Sequence, residues 1–208
     1  MAIDPSAVTP PPVPAPDWRV ELPTLTSRAV TLREPIAQDL GALVDLLSIG
    51  DASRFDLEYP VTALAVQDFI ERARRARAVG QAFTYVVTAG AGRSLVGLVQ
   101  VRQLDPAFEA GEWEGTLTPS SRGTGVFLEA ARLIGSFAFG SVGAHRLEAR
   151  VLLQNGRANG ALRKIGAVQE GVLRRSMRRG GEYLDQVLWS VLKDDWTDHW
   201  VSTAPRVH

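Results

Sequence analysis

Thr118-Pro119-Ser120-Ser121-Arg122-Gly123-Thr124-Gly125-Val126-Phe127-Leu128-Glu129-Ala130 joins a β-rich segment to a helical one, and the architecture reads outward from that junction. Before it, Gly111 to Thr118 holds Trp, Thr and Leu of the kind that suit a pleated strand. After it, Val126 to about Phe139 places Phe127, Ala131, Ile134 and Ala138 in helical register. Gly123 and Gly125 let the backbone turn tightly between the two. A strand end, a tight turn and a helix start bring unpaired amide N–H groups and the positive end of a helix dipole to one spot, which suits an anion. Two familiar anion loops fail on spacing. The nucleoside-triphosphate loop needs Gly-Lys-Ser/Thr, which is absent. The dinucleotide fingerprint needs a third glycine where Leu128 stands, within a purely parallel unit. An anion loop of another kind and an ordinary loop with a helix cap both remain.

Upstream, Ala29 to Arg33 reads as a strand. Pro35 opens a helix from Ile36 to Leu47, with Leu40, Leu43, Val44 and Leu47 at three- and four-residue spacing. A second helix follows Pro60, with Val66, Phe69, Ile70 and Ala73 on its apolar side. Its run of Arg72, Arg74, Arg75 and Arg77 is a solvated face that complements the helix C-terminus, or a patch for an acidic ligand. Ala82 to Thr88 and Ser94 to Arg102 form a hairpin about Gly90 and Gly92. Downstream, Arg146 to Leu152 is a strand, Asn155 to Ile165 a short helix, and Val168 to Arg175 and Tyr183 to Leu192 are strands. The order β-α-α-β-β-β-α-β-α-β-β, with consecutive strands in its middle, predicts a mixed sheet containing hairpins.

Composition narrows the class. In 208 residues, 45% hydrophobic, Lys+Arg and Asp+Glu are 23 each, so no broad cationic field draws the chain to nucleic acid. There is no cysteine, hence no disulfide framework, thiolate metal site or cysteine nucleophile. No second histidine or carboxylate stands at ligand spacing from His145, and no metal is expected. Six of the twelve prolines lie between Pro5 and Pro16. Residues 1–17 are therefore expected to be a disordered Pro-rich tail, 18–200 a single domain and 201–208 a C-terminal tail. With no signal-like or membrane-spanning run, the expected location is cytoplasmic.

The junction resembles the Q/R-x-x-G-x-G/A loop of the GNAT acyl-CoA N-acyltransferase superfamily. Glu112-Trp-Glu-Gly-Thr-Leu-Thr-Pro119 is similar to that family's fourth strand and Gly143-Ala-His-Arg-Leu-Glu-Ala-Arg-Val151 to its fifth. Asn155 and Gly166, eleven residues apart, keep the spacing of its next helix. Gly171-Val-Leu-Arg174, Tyr183, Asp185 and Trp189 through Asp195-Trp196 resemble the RimJ/RimL-type branch, and the likeness runs from about Ser27 to Trp196. It implies an α+β (mixed α/β), GNAT-like fold. Its central sheet would be mixed, mostly antiparallel and twisted, with about seven strands, splayed between strands 4 and 5 and flanked by helices.

The resemblance also implies chemistry. Acetyl-CoA or another acyl-CoA would be the co-substrate, its pantetheine arm in the splay against strand backbone at Leu117. Its pyrophosphate would rest on the amides of Arg122, Gly123, Thr124, Gly125, Val126 and Phe127, with the Arg122 side chain as a further donor. Asn155 matches an asparagine that contacts the arm, and it also suits a helix N-cap. The acceptor would be a primary amine, of a protein N-terminus or a small molecule, and a homodimer is a further expectation. A mostly protonated amine needs a base. Glu112, with Glu114 on the same strand face, is the candidate, and like-charge proximity would raise one carboxyl towards a useful range. The chain departs from many relatives at Ala158 and Leu162, where they carry hydroxyls. Tyr183 and Ser136 are conceivable substitutes, and a non-catalytic acyl-CoA-binding module is the alternative reading. Phe127, bulky for its place, either perturbs the loop or packs beneath it, while Trp113 is expected in the core.

Overall fold

The computed structural model describes residues 17–49, 55–58 and 60–196. The proline-rich segment and the C-terminal tail lie outside them. Among the described residues, eight strands form one sheet: β1 (Leu25–Thr26), β2 (Val30–Arg33), β3 (Ala82–Ala89), β4 (Ser94–Gln103), β5 (Ala110–Leu117), β6 (Arg146–Leu152), β7 (Val168–Arg179) and β8 (Glu182–Leu192). Four α-helices flank it: α1 (Leu40–Ile49), α2 (Ala63–Ala78), α3 (Val126–Phe137) and α4 (Gly156–Lys164). The spatial order is β1-β2-β3-β4-β5-β6-β8-β7. Every pairing is antiparallel except β5 with β6. That parallel pair requires a crossover, which α3 supplies.

The expected order of elements holds, with one strand more than the seven anticipated. The addition is β1, two residues held against Thr31 and Leu32, too short to leave any alternating pattern in the sequence. The helix expected from Ile36 opens instead with a 3-10 turn, Ala37–Asp39, and α3 runs on into a π-helical turn, Ala138–Val142, which ends at Gly143 with φ +94°.

Central strands are covered on both faces, so β3 is buried along seven consecutive residues and shows no alternation. On one face, Val86 and Leu98 pack under α1 and α2 with Leu43, Leu47, Phe69 and Ile70. Residues of α2 that the sequence assigns to its apolar side, Val66, Phe69, Ile70 and Ala73, are the ones buried. Thr62 starts that helix by accepting a hydrogen bond from the Ala65 amide at 3.1 Å. On the opposite face, α3 packs Ala131, Ile134 and Phe137 onto Phe83, Tyr85, Val101 and Leu147. Trp18, Phe83, Phe108 and Phe137 meet there with ring centroids 5.1–6.0 Å apart. Each such buried ring is worth roughly 1.5–3 kcal/mol over an exposed one.

The feature that positions the site is a divergence in the sheet. β5 and β6 pair only at Ala110, Gly111 and Glu112 with Arg146, Leu147 and Glu148. Beyond this, β5 follows β4 to the Gly97–Leu117 pair, while β6 follows β8 to the Leu152–Gln186 pair. Sheet twist then rotates the two halves apart. Gly97 serves this arrangement because a Cβ there would meet the Thr116 carbonyl oxygen, 2.8 Å away, and the Leu117 side chain.

Candidate active site

The end of β5 leads through a 3-10 turn, Pro119–Ser121, to the glycine loop at the mouth of the splay. Gly123 and Gly125 take φ of +83° and +92°, conformations that an L side chain resists, and nothing stands within 4 Å of the space a Cβ would fill. Gly125 is the N-cap of α3, with no side chain to close the helix. Thr124, the nearest hydroxyl, donates to the Ser121 carbonyl at 2.8 Å instead. The first intrahelical bond of α3 runs from the Glu129 amide to the Gly125 carbonyl at 3.1 Å. The amides of Val126, Phe127 and Leu128 precede it and have no intrahelical acceptor. Four exposed residues, Arg122 to Gly125, complete the mouth. The open amide cluster and the helix dipole together favour an anion here.

The remaining sequence candidates are spread over the loop, β5 and the elements that follow. Arg122 is exposed, and its Nε donates to the Leu117 carbonyl at 3.0 Å, which ties the loop to the end of β5. Phe127 packs beneath the loop, its ring 6.4 Å from that of Trp113, which is buried. Asn155 is the N-cap of α4, its Oδ1 accepting from the Ala158 amide at 3.1 Å. Leu162 lies in the core, and Tyr183 and Ser136 are exposed residues that line neither cavity described below.

Glu112 and Glu114 share the sheet face opposite Trp113, and both side chains are largely buried. They are not a bare pair of like charges. Arg102, paired across from Glu112 on β4, approaches Glu112 Oε2 with Nη2 at 3.3 Å and Glu114 Oε1 with Nε at 3.4 Å. Arg150 on β6 brings its Nε to 3.6 Å from Glu112 Oε1. Two guanidinium groups thus stand against the two carboxylates. A cavity of about 180 Å³ opens there, lined by Arg102, Glu112, Glu114, Arg150, Met177 and Gln186 with Trp113. A neighbouring cavity of about 350 Å³ lies between α2 and β4, and Arg102 borders both.

Further along the row, Glu148 faces Glu112 across the parallel pair and accepts from Arg146 Nε at 2.9 Å. Arg146 also grips Glu170 through both Nη atoms, at 2.8 and 2.6 Å, and Ser190 donates to the same carboxylate at 2.6 Å. The Arg146 guanidinium, followed by Ser190, pulls the Glu170 carboxyl down to about 2. The Glu170 hydrogen bonds in turn raise the Arg146 guanidinium above its ordinary value.

The sequence reading missed Arg102, Arg150 and Asn159. Gln100 and Arg102 were the visible signal, polar residues on alternate positions of a central strand whose middle is mostly Leu and Val. Asn159 is buried in α4. Its amide nitrogen donates to the carbonyls of Leu152, Leu153 and Asn155 at 3.0, 3.3 and 2.9 Å, and its oxygen accepts from Trp189 Nε1 at 2.8 Å. It thereby locks the turn carrying Asn155 to β6 and β8. Among the described residues no cluster of metal-ligating side chains occurs, and no helix is long and apolar enough to cross a membrane.

A sheet parted at one parallel pair, with an open helix N-terminus at the mouth and carboxylates on the strand beside it, marks a mixed α/β protein with a cleft between two of its strands. The chain belongs to the GNAT acetyltransferase domain family, whose model matches residues 29–168. It is 32% identical over 79 residues to the probable N-acetyltransferase YjcK of Bacillus subtilis (strain 168), a match covering 38% of this chain and 44% of that protein, so the shared stretch spans about half the length of that relative. In fold it is similar to a crystal structure of a probable acetyltransferase, with TM-score 0.75 and 22% identity, covering 84% of this chain and 99% of the other. It is likewise similar to Mycobacterium smegmatis RimJ in complex with CoA-disulfide, with TM-score 0.72 and 18% identity, covering 86% and 92%.

Proposed function

We propose that the chain is an acyl-CoA-dependent N-acetyltransferase that moves an acetyl group directly to a primary amine, of a small molecule or a protein N-terminus. The observation that carries this reading is the juxtaposition of the open α3 amides, the β5–β6 splay and the Glu112/Glu114 pair. The site suits the carrier: an uncapped, glycine-walled N-terminus takes a pyrophosphate, and unpaired strand edges from Trp113 to Leu117 and from Ala149 to Leu152 take a polar arm. When bound, acetyl-CoA supplies an activated acyl carbon and a thiolate leaving group.

The protein's own residues do the rest. The amides of Gly123 to Leu128 and the Arg122 guanidinium hold the diphosphate and so aim the arm along the splay. Glu112 takes the amine proton, directly or through one water. The amine nitrogen bonds to the acyl carbon as the carbon–sulfur bond breaks, the electron pair leaves on sulfur, and water protonates the thiolate. Ala158 and Leu162 offer no hydroxyl for that last step, so it falls to solvent. Thiol release from acetyl-CoA, followed across a panel of amines and N-terminal peptides, tests the assignment. Glu112→Gln should lower kcat by about 10²–10⁴-fold. Equal background release by wild type and variant across the panel overturns it.

A further inference from the structure

The acceptor side of this site carries equal numbers of opposite charges in an ordered arrangement. Arg102 is its pivot: it is the wall between the two cavities, and its guanidinium is shared between Glu112 and Glu114. Its Nε is buried, and at 3.4 Å from Glu114 Oε1 it makes no hydrogen bond of good geometry. On the far side of that wall, the larger cavity is lined by Arg72 and Asp56 together with Gln81, Gln100, Gln103 and the apolar Phe55 and Phe69. The compartment beside the splay therefore holds its two carboxylates against two guanidinium groups, and the next, with Arg72 and Arg102 against Asp56, carries an excess of positive charge and is amide-lined.

A plain amine entering this site meets a cost. Its ammonium competes with Arg102 for Glu112 and Glu114, and to the extent that it displaces Arg102 it leaves a half-exposed guanidinium without those partners. An amine that brings its own anion performs an exchange: the ammonium replaces Arg102 at the carboxylates, and the anion replaces the carboxylates at Arg102 and Arg72. Charge-assisted pairs are then kept on both sides, and a polycation is rejected because its second charge lies against two arginines.

We propose that the acceptor is a small amine carrying an anionic group, carboxylate or phosphate, a few bonds from its nitrogen, and that Arg102 is the specificity-determining residue. This rests on the acetyltransferase reading and names the substrate class of that same site. Arg72, from the arginine run of α2, is the second anion contact. The cavities, about 350 and 180 Å³, have room for a small molecule.

The test uses matched acceptors with the full chain: amino acids against their amides, aminoalkyl phosphates against the corresponding amino alcohols, and spermidine. Thiol release from acetyl-CoA gives kcat/KM, and calorimetry in the presence of CoA gives binding without turnover. Anion-bearing members should exceed their neutral partners by about tenfold or more in both readouts, about 1.4 kcal/mol. The carboxylate and phosphate series separate the two sources of anion. Arg102→Gln should erase or invert the ratio, with spermidine gaining, and Arg72→Gln should shrink it through KM more than kcat. Equal or better use of the neutral amines or spermidine by wild type overturns the proposal. No thiol release with any amine overturns the acetyltransferase reading, and calorimetry then decides the binding preference by itself: equal affinities for matched partners overturn it, a tenfold preference sustains it.

Discussion

Removing the Asn159 side chain should cost the fold far more than its size suggests. In Asn159→Ala, Trp189 Nε1 loses the acceptor it reaches at 2.8 Å, and three carbonyls lose a donor. Two of those carbonyls keep another partner, since Leu152 accepts from the Asn155 amide at 2.9 Å and Asn155 from the Asn159 amide at 3.0 Å. The dominant penalty is thus the stranded indole N–H in a ring that is 3% exposed, roughly 1–3 kcal/mol, with about 1 kcal/mol more for the bonds lost. The sum is about 2–4 kcal/mol, read as a lower urea midpoint at unchanged m. A double-mutant cycle with Trp189→Phe should return a coupling of about 1 kcal/mol. Asn159→Asp keeps the indole's acceptor but sets a carboxylate against three carbonyl oxygens. Its carboxyl is thereby raised in the fold, so the variant should recover stability as pH falls. Because Asn155 rides on the same turn, KM for acetyl-CoA should rise in all these variants. A loss under about 1 kcal/mol in Asn159→Ala, with no coupling to Trp189, would refute the reasoning.

Two other consequences are open to measurement. Gly125→Ala forces an L residue to φ +92°, at about 1–2 kcal/mol, and disturbs the amides proposed to hold the diphosphate; steady-state kinetics should show KM for acetyl-CoA raised several-fold with a smaller change in kcat, and an unchanged KM would count against the loop's role. Glu170, lowered to about 2 by Arg146 and Ser190, contributes stability that is complete above its ordinary value near 4.5 and is lost as pH falls through about 2. Its side chain is 37% exposed, so screening holds that contribution to about 1 kcal/mol or less, and Glu170→Gln should flatten the acid limb of the stability–pH curve by that amount.

Much of the architecture was written in local pattern. The apolar stripe of α2, the alternation of Leu147, Ala149 and Val151, and the glycine-walled entry to α3 each reflect interactions within one element, where periodicity suffices. β1 was invisible because two residues make no pattern and owe their state to a partner strand. Among the site residues, Glu112 and Glu114 showed as alternating carboxylates on one strand. Their real environment did not, since it depends on Arg102 and Arg150 arriving from β4 and β6 through register. Reading neighbours along the chain finds the two carboxylates, while the guanidinium groups beside them come from across the sheet. Asn159 was hidden similarly, because its only reader on the far side is an indole thirty residues away.

The three-rung join between β5 and β6 has a consequence of its own. It makes the molecule two bonded leaves on a narrow spine, with Arg102, Glu112 and Glu114 on one leaf and Arg150, Met177 and Gln186 on the other. The glycine loop and the start of α3 follow β5 on the first leaf, so a small change of angle at the spine would reshape the chamber lined by both leaves and the cleft between β5 and β6 together, while leaving the loop's own amides as they were. The angle at the spine thus couples the width of that cleft to the shape of the chamber, with no substitution needed in the loop itself.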